Sequence, residues 1–217
     1  MLPGQDDVSP DKPAMYDQTP LWCAAAGGYE GVVKILLGRG DVNPNKPRSD
    51  GGISLHCAAM DGHKRVVKML LQRGDLNPDE PDRNGRTPLW WAAMMEHEGV
   101  VKTLLGRDSF DPGSQDNDGE IPLHRTAMNG HKAVVKMLLG QGNVNPNALD
   151  HDGRTPFWWA AWNGHEGVVE ILRGRDDVSP NTPDIHRRMP LWCAALNRHR
   201  GVVGILLGRD KIDPNKN

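Results

Sequence analysis

Aromatic residues other than tryptophan are scarce in this 217-residue sequence, which has two Phe and two Tyr against seven Trp. The formal net charge is only −2, so the chain lacks the overall positive field that favours nucleic-acid binding. No apolar run approaches the roughly 20 residues that a membrane-spanning helix needs. Residues 1–7, MLPGQDD, lack the basic and apolar segments of a signal peptide. These absences predict an intracellular, cytoplasmic protein that binds neither nucleic acid nor membrane.

What the sequence does contain is one segment that recurs six times. Its clearest copy is TPLWWAA at residues 87–93, followed by GVVKTLL at residues 99–105. The second position of the segment recurs every 34 residues without a slip, at Pro20, Ser54, Pro88, Pro122, Pro156 and Pro190. A fixed period of this length indicates a repeat array, in which each unit buries its apolar face only against its neighbours.

Each copy predicts two short helices and a projecting finger. Thr followed by Pro suits a helix start, and the Val-Val and Leu-Leu pairs of residues 32–37 form an apolar stripe for a second helix. Gly40 and Pro44 are stop signals, and Asp50-Gly51 favours a tight turn. The first copy therefore predicts helices near residues 20–27 and 30–38, and the later copies predict the same elements one period further on.

These motifs resemble the ankyrin repeat, whose Thr-Pro-Leu-His-x-Ala motif and period of 33 are close to the pattern here. Thr87-Pro88-Leu89, Gly130-His131 and Val134-Val135 stand where that family places such residues. The resemblance implies an all-α solenoid of six stacked helix-turn-helix units with hairpin-like fingers. The period is one residue longer than in the family. Trp also replaces the family's His at four positions: Trp22, Trp90, Trp158 and Trp192.

The repeats predict a single array over residues 1–217. Its helix pairs are centred on residues 19–38, 53–72, 87–106, 121–140, 155–174 and 189–208, with a partial finger at 1–18 and a truncated finger at 209–217. Neither end has a clear polar capping repeat, which isolated arrays usually need for solubility. We therefore expect either a monomeric array or, preferably, a segment of a larger polypeptide. The Trp-rich pattern also looks like arrays found in large fungal intracellular proteins.

Residues that could carry chemistry have structural explanations in this pattern. The Gly-His slot repeats through the array, and in the ankyrin family that His ties loops together through backbone hydrogen bonds. No cysteine pair or carboxylate cluster completes a zinc site, and no phosphate-binding loop or nucleophile elbow is present. Cys23, Cys57 and Cys193 share one slot, which predicts small buried side chains rather than disulfides. We predict no catalytic residue, metal or cofactor.

The slots that vary between copies are the ones free to specify a partner. In the ankyrin family the concave face is built from finger residues and from the slots after the paired alanines, where this sequence places Met and Trp. Large apolar side chains in such slots usually mark an interaction surface. We predict a non-enzymatic protein-interaction module. Its expected concave-face contacts are Trp90, Met94, Met95, Met128, Trp158 and Trp162, and its expected fingertip contacts are Arg83, Asp116, Asn117 and His151.

Two other functions are consistent with the sequence. A structural spacer would have a polar concave face. A binder of anionic ligands would use the basic side chains that recur on the second helices and just past their ends. These are Lys34, Lys68, Lys102 and Lys136, and Arg39, Arg73, Arg107, Arg175 and Arg209. Nearby aspartates weaken that positive field, so the partner is expected to be a protein or peptide.

Overall fold

All regular structure in the computed structural model, which describes residues 9–107 and 110–208, is helical. The chain divides into two compact units, Met1–Phe110 and Asp111–Asn217. After a short 3₁₀ turn at Met15–Asp17, the α-helices of the first unit are α1 (Pro20–Ala26), α2 (Glu30–Leu37), α3 (Ser54–Met60), α4 (Lys64–Leu70), α5 (Pro88–Met94) and α6 (Glu98–Leu105). Those of the second are α7 (Pro122–Asn129), α8 (Lys132–Leu139), α9 (Pro156–Trp162), α10 (Glu166–Arg173), α11 (Pro190–Leu196) and α12 (Arg200–Leu206). The predicted all-α repeat fold is confirmed.

The first helices of each pair begin with two alternating capping arrangements. At Thr19, Thr87 and Thr155 the side-chain oxygen accepts a hydrogen bond from the backbone N–H of the Trp three residues on. Two of the alternate copies have Ile in this slot and use His56 or His124 instead. Nδ1 of His124 accepts the N–H of Ile121 at 3.1 Å. The two solutions alternate along the sequence as far as α9, whereas α11 begins after Met189 and has no side-chain cap.

Within each unit, first helices pack on first helices and second helices on second helices. In the first unit α3 contacts α1 and α5, and α4 contacts α2 and α6. In the second unit α9 contacts α7 and α11, and α10 contacts α8 and α12. The paired alanines allow this close approach, because Ala59, Ala93 and Ala161 are completely buried.

Loops of adjacent repeats are tied by the histidine of the Gly-His slot. Nε2 of His63 bonds the carbonyl of Ala26 at 2.9 Å, and Nε2 of His199 bonds that of Trp162 at 2.9 Å. The glycine of this slot leaves room for the ring: Gly62 has a φ of +76°, and a Cβ there would meet the His97 ring at 2.7 Å. The predicted structural role of this histidine is confirmed at these sites.

Each finger turns around an aspartate. Oδ1 of Asp150 accepts the N–H groups of Asp152 and Arg154 at 3.0 and 2.8 Å, and Asp82 and Asp184 make the same bonds in their fingers. Successive fingers are joined by a backbone bond, in which Ile185 N–H donates to the Asp152 carbonyl at 2.9 Å. The fingers are therefore fixed features of the surface rather than free loops.

The Asn-Pro segment also links repeats. The side-chain amide of Asn147 donates to the Asp177 carbonyl at 2.6 Å, and its oxygen accepts the N–H of Ser179 at 2.7 Å. Asn45 makes the equivalent pair of bonds to Asp75 and Asn77. This slot therefore carries a side-chain bridge from one finger base to the next.

The structure corrects one expectation about the cysteines. Cys57 and Cys193 are buried as predicted, and burial raises the pKa of the Cys193 thiol to about 11. Cys23 is exposed, because the first repeat has no described helix pair packed on that side of α1. All three are free thiols.

Candidate partner-binding surface

The second unit carries a stack of tryptophans and arginines where the fingers meet the first helices. Trp158 is buried and stacks on Trp162, with ring centroids 5.1 Å apart and an interplanar angle of 10°. The guanidinium of Arg188 lies 5.7 Å from the Trp158 ring centroid and 5.8 Å from that of Trp162. Trp158 Nε1 donates to the Arg188 carbonyl at 2.9 Å. Trp162 is thus held flat on a rigid support while it remains half-buried.

The neighbouring ring, Trp159, extends this arrangement toward the fingers. It meets Trp158 edge to face with a centroid distance of 5.2 Å. Its Nε1 donates to Oδ2 of Asp150 at 3.0 Å, and the Arg154 guanidinium lies 4.8 Å from its ring centroid. Because both the indole N–H and one ring face have partners, the orientation of Trp159 is fixed.

A groove of about 450 Å³ opens beside Trp159 at the base of the fingers. The residues that line it are Asp118, Glu120, Arg125, Met128, Asp150, His151, Asp152, Arg154 and Trp159. Arg154 pairs with Asp152, and Arg125 Nε lies 2.5 Å from Oε2 of Glu120. Burial raises the pKa of Glu120 to about 7, against the opposing effect of Arg125.

The first unit has the same contacts between Trp, Arg and Asp side chains, beside a smaller groove. The Arg86 guanidinium lies 4.7 Å from the Trp90 ring centroid and 5.3 Å from that of Trp91. Trp91 Nε1 donates to Oδ2 of Asp82 at 3.2 Å. A groove of about 150 Å³ opens here, lined by Trp22, Arg48, Asp50, Gly52, His56, Cys57, Met60, Asp82 and Trp91.

The geometry of stacked helix pairs and the sequence comparison agree. An ankyrin-repeat profile of three copies matches residues 21–116 and, in an overlapping second match, residues 104–184. The two matches together extend over more than half of the sequence. The chain belongs to the ankyrin-repeat family. No curated protein gives a significant match to the sequence.

The ankyrin array places the predicted concave-face residues at different depths. Met94, Met128 and Trp162 are half-buried, and Met95 is 46% exposed. Trp90 and Trp158, however, are 2% and 1% exposed. This burial leaves the two rings little surface for a partner: Trp90 packs against Trp91 and Arg86, and Trp158 packs against Trp162 and Arg188. Trp90 belongs to the first unit and Trp158 to the second, and each supports its more exposed neighbours.

The predicted fingertip residues also divide. Arg83, Asn117 and His151 are exposed, as a polar rim requires. Asp116 is only 6% exposed, and its Oδ1 accepts the N–H groups of Asp118 and Glu120 at 3.0 and 2.9 Å. This carboxylate forms the turn of the finger, and its burial leaves it little surface for a partner.

Sequence reasoning missed Trp91 and Trp159, the half-buried rings that line the two grooves. A signal was present. Trp90-Trp91 and Arg86 recur as Trp158-Trp159 and Arg154 two repeats later, and Thr alternates with Ile at the cap. Residues that recur in every repeat are explained by stacking of the helix pairs. The Trp-Trp and Arg set recurs only in every second repeat, which could have marked it as a separate feature of the surface.

Recurring arginines just past the second helices are engaged in structural pairs. Arg73 pairs with Asp75 and Arg175 with Asp177, both at 2.7 Å. Arg73 also donates to the Leu37 carbonyl at 3.0 Å, which caps the second helix of the preceding repeat. Arg209 lies outside the described residues. These contacts engage part of the positive charge on which an anion site would depend.

Other kinds of site find little support in the described part of the chain. No group of three or more His, Cys, Asp or Glu side chains in residues 9–107 and 110–208 could hold a metal ion. No helix among these residues is long and apolar enough to cross a membrane.

Proposed function

We propose that this ankyrin array is a non-enzymatic module that binds a protein or peptide through the side of the molecule formed by the first helices and finger bases. The observation that carries the proposal is Trp162. Its ring is half-buried, yet it is held flat on the buried Trp158 and flanked by Arg188. A rigid, partly exposed indole loses little conformational entropy on binding, which is why such rings dominate many interfaces.

The chemistry around Trp162 supports an apolar anchor with polar flanks as the ligand. Met128 is half-buried in the same unit and can adapt its shape to an apolar side chain. Asn163 and His151 are exposed and offer hydrogen-bonding groups around it. An apolar centre with a polar rim is the usual organisation of a protein interface.

An intracellular, cytoplasmic setting is part of this proposal. It is supported by the free thiols of Cys23, Cys57 and Cys193, since such thiols persist in reducing compartments. A structural spacer is the alternative function, and binding experiments distinguish it from a binding module. The anion-binding function is disfavoured, because Arg39, Arg73 and Arg175 are already paired with aspartates.

The test is a peptide-library selection on the immobilised wild-type chain, followed by affinity measurements on the best peptide. Trp162→Ala should raise its Kd by about 30-fold or more, equivalent to roughly 2 kcal/mol. Lys136→Ala is the matched control in the same unit, because Lys136 is exposed on the second helix α8. It should leave the Kd unchanged.

A second variant separates binding from folding. Met128→Glu introduces a charge at a half-buried position without removing the Trp158–Trp162 stack, and it should also weaken the peptide. Circular dichroism and thermal unfolding would establish that both variants retain their helices. Failure to select any peptide would favour a spacer. Unchanged affinity in both folded variants would place the binding site elsewhere.

A further inference from the structure

The grooves of the two units have four kinds of side chain in common. In the first groove, of about 150 Å³, the shared residues are Asp50, Met60, Asp82 and Trp91. In the second groove, of about 450 Å³, they stand two repeats later and are Asp118, Met128, Asp150 and Trp159. Stacking of helix pairs occurs in every repeat, so it does not account for a set that recurs after two. The recurrence indicates one kind of site, built from two carboxylates, a thioether and an indole.

The indole and one carboxylate of each groove hold each other in place. Trp91 Nε1 donates to Oδ2 of Asp82 at 3.2 Å, and Trp159 Nε1 donates to Oδ2 of Asp150 at 3.0 Å. Both rings are half-buried, and so is Met128 in the second groove. Each groove therefore has an apolar wall beside a carboxylate. Such a wall suits the aliphatic stem of a Lys or Arg side chain, whose charged head then lies among the carboxylates.

The second groove has an excess of negative charge. Its lining includes four carboxyl groups and two guanidinium groups. Each guanidinium group is paired with a carboxyl group of the same groove, Arg125 with Glu120 and Arg154 with Asp152. The other two carboxyl groups, those of Asp118 and Asp150, form no ion pair with any residue that the structure describes. A cation is therefore the charge that complements this groove.

The two remaining carboxyl groups lie at different depths. Asp150 is only 7% exposed, and its oxygens accept hydrogen bonds from the finger backbone and from Trp159. Asp118 is exposed at the edge of the groove, and its backbone carbonyl accepts the N–H of His151 at 2.9 Å. An entering cation can thus contact the Asp118 carboxylate directly, while the buried charge of Asp150 attracts it from below.

Glu120 distinguishes the second groove from its neighbours in the array. In three other repeats this slot holds an arginine whose guanidinium lies on a Trp ring: Arg86, Arg154 and Arg188. Here a carboxyl group that is 4% exposed stands in place of that cation. A buried carboxyl group costs stability, so repeat stacking does not explain it. Local departures of this kind are typical of functional positions.

We propose that the second groove binds a Lys or Arg side chain of the partner peptide, with its stem against Met128 and Trp159 and its charged head at Asp118. The inference rests on the proposed function and specifies the partner as a peptide that combines a basic residue with an apolar anchor. The two contacts are compatible, because Trp159 and Trp162 stand about one turn apart on α9. An acidic residue in this groove would meet the unpaired carboxylates and be repelled.

Two peptide libraries, each selected on the immobilised full chain, test the charge of the partner. Both have Leu, Phe or Trp at a central position. They differ only in the flanking positions, which include Lys and Arg in one library and Asp and Glu in the other. Only the basic library should yield binding peptides. Equal recovery from both, or a preference for the acidic one, would overturn this inference and leave the proposed function standing. Recovery from neither would overturn both.

A double-mutant cycle then locates the basic residue. Asp118→Asn removes the charge and keeps the turn, because Asn84 stands in the same slot of another finger. It should raise the Kd of the best basic peptide by about fivefold. It should not change the Kd of a copy in which that basic residue is replaced by a neutral analogue, citrulline for Arg or acetyl-lysine for Lys.

The control for this cycle is Glu170→Gln, because Glu170 is an exposed carboxylate on α10, outside the groove. It should leave the Kd of both peptides unchanged. Circular dichroism would establish that both variants keep the helices of the wild type. An equal loss of affinity for the basic and the neutral peptide would show a structural effect of Asp118→Asn. An unchanged affinity for both would place the basic residue elsewhere, and either result would overturn the inference.

Discussion

At the scale of residues, Glu120 is a carboxyl group whose pKa is changed by burial. It is 4% exposed beside Arg125, with Asp116, Asp118 and Asp150 nearby. Burial is the main cause that raises its pKa from 4.5 to about 7, and the three aspartates act in the same direction. The folded state therefore holds this proton more tightly than the unfolded state.

Replacement of Glu120 by Gln should change the pH dependence of stability. The contribution of Glu120 is fully present below pH 4.5 and is lost as the pH rises through about 7, because the charged form is then buried. The free energy of unfolding of Glu120→Gln, relative to wild type, should therefore increase by about 1–3 kcal/mol between pH 5 and pH 8. Urea unfolding at the two pH values measures this. A difference that stays constant or decreases would refute the assignment.

At the scale of elements, the asparagine bridge of the finger bases is interrupted once in the second unit. Gly113 occupies the slot held by Asn45 and Asn147. Its N–H already donates to Asp111 Oδ1 at 2.9 Å, which reproduces the local turn around the bridging asparagines. A Cβ on Gly113 would lie 3.3 Å from that oxygen and 3.6 Å from the Asn143 carbonyl, the acceptor expected for a bridge.

Gly113→Asn should therefore stabilise the chain. The new amide would donate to Asn143 and accept from the Asn145 N–H, and the unfolded chain would lose the extra freedom of glycine. Two exposed hydrogen bonds and this entropy term predict a gain of about 1 kcal/mol. Thermal unfolding measures it. Gly113→Ala is the control, because it supplies the Cβ without the amide. An equal gain in both variants would rule out the bridge.

The elements also show how far the sequence could predict the fold. The period, the Thr-Pro starts and the Val-Val stripes predicted the helix pairs, because these features depend on contacts that every repeat makes. The depth of individual tryptophans could not be predicted in the same way. Trp158 is buried because a carbonyl 30 residues later accepts its N–H, whereas Trp159 bonds a finger carboxylate and stays at the groove. Both hydrogen-bond partners lie in fingers, and the repeat period alone does not predict which finger atoms come within reach of each ring.

At the scale of the whole molecule, both units carry the same Trp-Trp and Arg arrangement at a groove beside the fingers. The first unit uses Trp90, Trp91 and Arg86, and the second uses Trp158, Trp159 and Arg154. On the side of the second helices, Arg73 and Arg175 are paired with aspartates of the same chain, so these two arginines already have structural roles. The finger side is therefore the side on which we expect a partner.

Methyl signals of the methionines test this claim directly, because methionines lie on both sides of the helix pairs. Met60, Met94 and Met128 belong to first helices, whereas Met69 and Met137 belong to second helices. Spectra of chain labelled with ¹³C-methyl methionine would be recorded with and without the library-selected peptide. We expect the methyl signal of Met128 to shift and those of Met69 and Met137 to stay unchanged. Shifts confined to Met69 and Met137 would contradict it.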